Sequence, residues 1–156
     1  MVLKALVIDD SRVMRSMVMQ SLQKSKLADF QFVEAEDGAD ALAKFNPNEI
    51  HIAFVDWNMP NMTGVEFVRK VRSLGNTDDI PMVMVTSEKS MGKVQEALDE
   101  AGADSYICKP FTVEEMQVKL KKVVDKAALA QSRRARLLRE KQQPAPTGGF
   151  FRSLLG

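Results

Sequence analysis

Five short, mostly apolar β-forming runs, "LKALVID", "FQFVEA", "IHIAFVD", "PMVMVT" and "DSYICK", alternate along this chain with stretches whose apolar residues recur at helical spacing. That alternation leaves few folds open. Each run is continuous rather than alternating in apolar character, as strands covered on both faces require, and the intervening helices supply the cover. The pattern predicts an α/β domain with a five-stranded parallel sheet and helices on both faces. In "SRVMRSMVMQSLQKS", Val13, Met14, Met17, Val18 and Leu22 are expected on one helical face, so the methionines there, Met19 included, read as core rather than as a binding surface. Ser11, Asp37 and Thr63 are the expected N-caps of the first three helices, and Gly102 should stop the fourth. The fifth helix begins with the Thr-x-x-Glu box at Thr112, and its stripe of Met116, Leu120, Val123 and Ala127 continues toward Leu138.

Residues 1–125 therefore form the domain, 126–142 a basic helical extension, and 143–156 a linker with an apolar C-terminal segment, "FFRSLLG". Net charge is +1 overall, but residues 126–156 carry seven Lys and Arg against Glu140 alone, which leaves the domain acidic. No apolar run approaches the length of a membrane span, and "MVLKALVIDD" leads straight into acidic residues rather than a signal-peptide cleavage site. Cys108 is the sole cysteine, so no internal disulfide can form, and a cytoplasmic setting is expected. The basic stretch has no helix-turn-helix after it, so no direct nucleic-acid binding is expected and the extension reads as a solvated helix. The large apolar residues of "FFRSLLG" read as a docking peptide for a groove on a partner or on this domain. His51 has no second His or Cys at ligand spacing and reads as structural.

In open α/β sheets, ligands bind outside the carboxyl ends of the strands. There the first strand ends in Asp9 and Asp10, the third in Asp56, the fourth in Thr86 and Ser87, and the fifth in Lys109 before Pro110, a bond that invites the cis form. Converging carboxylates repel by about 4 kcal/mol per pair at ~4 Å and an effective dielectric near 20, so the cluster calls for a hard divalent cation. Magnesium fits, because it takes a few carboxylates and is completed by water and phosphate oxygens. One carboxylate would then act as a nucleophile toward phosphorus, with Lys109, the Thr86 hydroxyl and the Ser87 N–H receiving the phosphoryl oxygens. These parts suit phosphoryl transfer onto a side chain.

"VIDDS", "EAEDGADAL", "DWNMPNMTG", "MVTSE" and "AGADSYICKPF" resemble, in order and spacing, the receiver domains of two-component response regulators, above all their CheY-like, single-domain chemotaxis type. The resemblance covers roughly residues 1–125. It implies a flavodoxin-like fold with strand order 2-1-3-4-5, an order known for this family rather than derived from the residues. It further implies Asp56 as the phospho-acceptor, with Asp10, Asp56 and the Asn58 carbonyl on Mg2+ and Asp9 acting through water. Lys109 would bind the phosphoryl group, while Thr86 swings toward it and Tyr106 changes rotamer as the switch. Asn58 and Glu88 stand where receivers tune self-dephosphorylation, as in fast-cycling members, and Ser87 stands where many members carry alanine. The implied partners are a histidine kinase and a downstream target such as a flagellar switch or other motility component. No phosphate-binding loop or dinucleotide fingerprint is present, so the expectation is a signalling switch rather than an enzyme beyond its own phosphorylation and dephosphorylation. The alternative is a phosphorylation-independent interaction or localisation module acting through the C-terminal tail.

Overall fold

A computed structural model describes residues 2–143; "FFRSLLG" and the linker from 144 onward lie outside the described residues. The chain runs β1 (Val2–Ile8), α1 (Arg12–Ser25), β2 (Asp29–Ala35), α2 (Gly38–Lys44), β3 (Ile52–Val55), α3 (Gly64–Ser73), β4 (Met82–Thr86), α4 (Met91–Gln95), β5 (Ser105–Cys108) and α5 (Val113–Gln142). All five strands are parallel and lie in the order β2-β1-β3-β4-β5, in the flavodoxin-like arrangement with a long C-terminal helix. One sheet face buries Leu6, Ile8, Ala53, Val55, Met82 and Met84 with Phe67, Val68 and Val71 of α3. The other buries Leu3, Ala5, Val7, Phe54, Val83 and Val85 with Val18 and Leu22 of α1 and Met116 and Leu120 of α5. The continuous apolar runs fit the sheet centre, where β3 and β4 are buried throughout. β2 lies at an edge and leaves Gln31 and Glu34 exposed.

The expected caps are in place: Ser11, Asp37, Thr63 and Thr112 each accept a hydrogen bond from the N–H three residues on. Gly102 caps the fourth helix at φ +94°, in the left-handed region that favours glycine. Two readings need correction. In α1 the buried stripe is Val18, Leu22 and Ser25; Val13 is 69% and Met17 49% exposed, because they point to the flank rather than toward the sheet. Met17 is thus surface, not core. The fourth helix is also not α throughout, for after Gln95 it widens into a π-helical turn over Glu96–Ala101. The wider turn seats Ala97 and Ala101 in the core, while Arg69 on α3 reaches Glu96 and Glu100 from outside, at 3.4 and 3.5 Å.

The amino ends of β3 and β4 are tied by arginines. Arg72 on α3 donates to Gly102 O at 3.0 Å, to Thr77 O and to Asp104 Oδ2 at 2.8 Å; Asp104 also receives Met82 N–H and Lys126 from α5. Farther along α5, Arg134 donates to Pro47 O at 2.6 Å and to Asp79 at 2.5 Å, which fastens the extension under the sheet. His51 is structural: its Nδ1 accepts the Lys4 N–H at 2.8 Å. Burial, then Arg134 and Lys4, hold its pKa below the usual value and keep that nitrogen free to accept. No helix among the described residues is long and apolar enough to cross a membrane.

One glycine fixes how the sheet hands over to α3. A Cβ on Gly64 would stand 1.9 Å from the Asp56 carbonyl oxygen, while the Gly64 N–H donates to Trp57 O at 2.9 Å. The obstacle is backbone and cannot swing aside. Gly64→Ala is expected to destabilise the fold by about 2–3 kcal/mol, as overpacking does, read as a Tm lowered by several degrees with altered Trp57 fluorescence.

Candidate functional site

Because β1 and β3 are neighbours in register, with Ile8 opposite Val55, the residues that follow them are brought together. Asp9 leaves β1 and Asp56 leaves β3, and the Asp56 N–H still donates to Ile8 O at 3.0 Å. Asp9, Asp10 and Asp56 present carboxylate oxygens within 4.8 Å of one another. Asp9 and Asp56 are nearly buried, at 3% and 8%, and Asp10 is exposed at the mouth. A set of oxygen donors this crowded suits a hard cation such as Mg2+.

Lys109 follows β5, whose last residue Cys108 pairs with Thr86 of β4, and a cis Lys109–Pro110 bond turns the chain there. Its ammonium lies 2.7 Å from Asp9 Oδ2 and 3.6 Å from Asp56 Oδ2, so one cation is shared by two carboxylates. Asp56 Oδ1 accepts the Trp57 N–H at 2.8 Å. Burial still dominates: it raises the Asp56 pKa above the ordinary carboxylate value, opposed by Lys109 and reinforced by the charge on Asp9. Arg15 of α1, which the sequence did not single out, holds the Asp9 carbonyl at 2.7 Å and Glu34 at 3.0 Å. No spacing rule would have found it.

Thr86 is fully buried at the end of β4, beside Asp56. The next loop residue but one, Glu88, joins three groups. Its N–H donates to Thr86 Oγ1 at 3.3 Å, its carboxylate accepts Asn58 Nδ2 at 2.8 Å, and its carbonyl accepts the Tyr106 hydroxyl at 2.6 Å. Tyr106 is thereby held inward, its pKa pushed up to about 12 by burial. Ser87 is exposed and rims a crevice with Met14, Met17, Lys109, Pro110 and Phe111. Lys93 of α4 sits 4.5 Å over the Trp57 ring, a cation–π contact that couples α4 to the loop after Asp56.

The raised Asp56 pKa sets a direction for stability. The folded chain binds the Asp56 proton more tightly than the unfolded chain, so the ionised carboxylate costs stability at neutral pH, and the cost disappears as pH falls through the raised value to the ordinary carboxylate range. In metal-free solution Asp56→Asn is expected to raise Tm at pH 7, with the difference from the parent closing as pH falls through that window. A Tm series in chelator across pH checks it.

Comparison with known proteins covers the same part of the chain. The model of the response regulator receiver domain matches residues 5–121. A chemotaxis protein CheY homolog of Campylobacter jejuni is 40% identical over 123 residues, spanning 78% of this chain and 92% of that one. CheY1 of Helicobacter pylori is also 40% identical over 123 residues, 78% of this chain and 97% of its own. Among solved structures, chemotaxis protein CheY4 of Vibrio cholerae superposes with a TM-score of 0.69 at 36% identity, over 79% of this chain and 99% of its own. With a matching fold, an acidic cluster at the strand ends and sequence likeness over most of its length, the chain belongs to the response regulator receiver domain family.

Proposed function

We propose that this chain is a chemotaxis-type phosphorylation switch, with Asp56 as the residue that accepts a phosphoryl group from a histidine kinase. The observation that carries this reading is the single lysine ammonium placed 2.7 Å from Asp9 and 3.6 Å from Asp56 beside three clustered carboxylates. An Asp56 oxygen attacks phosphorus in line, the P–N bond to the donor histidine breaks, and that imidazole nitrogen takes up a proton. Asp9, Asp10 and Asp56 with the Asn58 carbonyl would hold Mg2+, which offsets the charge of the carboxylates and of the incoming phosphoryl group.

Lys109 can follow the phosphoryl oxygens at little cost, since it already bridges two carboxylates rather than one. Thr86 and the Ser87 N–H supply the remaining donors. If the Thr86 hydroxyl turns toward the phosphoryl group it gives up the Glu88 N–H, and the Glu88 carbonyl that holds Tyr106 belongs to the same residue. That chain of bonds supports Thr86 and Tyr106 as the switch, read out by a downstream target in the motility machinery. The crevice of Met14, Met17, Pro110 and Phe111 beside Lys109 offers an apolar seat for the phosphodonor protein. On this reading the chain works in the cytoplasm as a signalling protein, residues 1–125 being the receiver and 126–142 its basic extension.

Two measurements test the reading. Mg2+ and then a small phosphodonor should change the fluorescence of Trp57, the only tryptophan, with intact-mass gain of one phosphoryl group; Asp56→Asn should abolish both responses to the donor, and a flat trace would sink the proposal. Because Asn58 and Glu88 are hydrogen-bonded at 2.8 Å, Asn58→Ala and Glu88→Ala should each change the phosphoryl lifetime and their double variant should depart from additivity. The parent lifetime should be short, and one of many hours contradicts the tuning role.

A further inference from the structure

The buried stripe of α5 does not stop where the domain does. Met116, Leu120, Val123, Ala127 and Ala130 pack on the sheet, and Arg134, Leu137 and Leu138 continue the same side of the helix at i, i+4 and i, i+7 spacing. There the helix overhangs the amino ends of β3 and β4, the end of the sheet opposite Asp56. Arg134 spans the gap to Pro47 and Asp79. Beyond it lies an open, predominantly apolar groove of about 770 Å³, with Pro47 and Gly75 on the domain side and Leu137 and Leu138, 55% and 59% exposed, on the helix side. Leu74, the residue before Gly75 in the chain, is 63% exposed.

We propose that this groove is the seat of the chain's own C-terminal segment, "FFRSLLG". Phe150, Phe151, Leu154 and Leu155 fall at i, i+1, i+4 and i+5, the spacing that gathers four large apolar side chains on one side of a helical segment and leaves Arg152 and Ser153 on the other. The tether has the right reach. α5 ends at Gln142, one turn or about 6 Å beyond Leu138, and the seven residues 143–149 span up to about 23 Å when extended. The Pro and Gly residues of that tether favour a reversal over a straight continuation of the helix. The tether holds the segment at an effective concentration of ~1 mM, so a dissociation constant of ~0.1 mM suffices for about tenfold occupancy. This inference stands apart from the phosphorylation reading, for the groove lies at the other end of the sheet.

Hydrogen–deuterium exchange on the full chain tests it. Residues 137–142 and 75–79 should exchange about tenfold more slowly in the parent than in a Phe150→Ser, Phe151→Ser double variant, at every protein concentration and with monomers in sedimentation. Leu138→Glu in the full chain should lose the same protection of 75–79 while exchange in β1 and β3 stays unchanged, which separates loss of docking from loss of fold. Equal exchange in parent and double variant overturns the proposal. Protection that grows with concentration alongside dimers also overturns it, because a second copy would then be the occupant.

Discussion

Asp9 and Asp56 stand one residue past paired positions on adjacent parallel strands, so backbone hydrogen bonding alone forces two nearly buried carboxylates together, with Asp10 at the rim. In the low-dielectric mouth of a sheet that arrangement is unfavourable unless positive charge is supplied. Lys109 supplies part of it from the end of β5, with β3 and β4 lying between that strand and β1. β1 and β3 deliver the anions, β4 the buried hydroxyl, and β5 the cation. The raised Asp56 pKa is the residue of that conflict, since one ammonium shared between two carboxylates does not offset the burial of both.

A site poised in this way can respond to added charge only if something nearby has two arrangements. Glu88 is the residue through which such a response would spread. Its amide meets Thr86, its side chain meets Asn58, and its carbonyl meets Tyr106, so the loop after β4 connects the floor of the site to the outer edge of the sheet in two hydrogen bonds. Lys93 over Trp57 adds a contact from α4 to the loop carrying Asn58. Neighbouring α4 is only five residues long before the backbone widens into a π-turn, an irregularity that leaves this face less uniformly bonded than α5 on the opposite side.

Much of this was legible in the sequence, for identifiable reasons. Continuous apolar runs marked β3 and β4 because both strands are buried on both faces, and cap residues announced four helix starts because orphan N–H groups need acceptors close in sequence. The cluster at the strand ends followed from parallel topology, which sends every carboxyl end to one edge. What stayed hidden depended on contacts without a sequence period. Val13 and Met17 looked like core because an apolar residue on the flank of a helix is indistinguishable from one on its buried stripe until the neighbouring helix is placed. The π-turn, Arg15 under Asp9, and the bond between Asn58 and Glu88 across thirty positions are tertiary facts. The need for glycine at position 64 is of the same kind, since only the approach of the Asp56 backbone excludes a side chain there.

The two ends of the sheet are built on opposite electrostatic principles. At the carboxyl ends, three clustered carboxylates outnumber the one ammonium that holds them, a surplus of negative charge that suits a hard cation. At the amino ends, cations outnumber the anions they hold: Arg72 and Lys126 share Asp104, and Arg134 pairs with Asp79 while also satisfying the Pro47 carbonyl. Partly buried, multiply bonded guanidinium pairs of this sort hold geometry better than exposed lysine pairs do. Arg134 lies well past the last residue of the receiver match, so the bond that fastens α5 to the loops before β3 and β4 comes from the extension rather than from the domain it anchors. The extension is therefore part of the folded body at least as far as Arg134, and its basic charge is in part structural: one arginine of the run is spent under the sheet, while Arg133, Arg136 and Arg139 remain exposed.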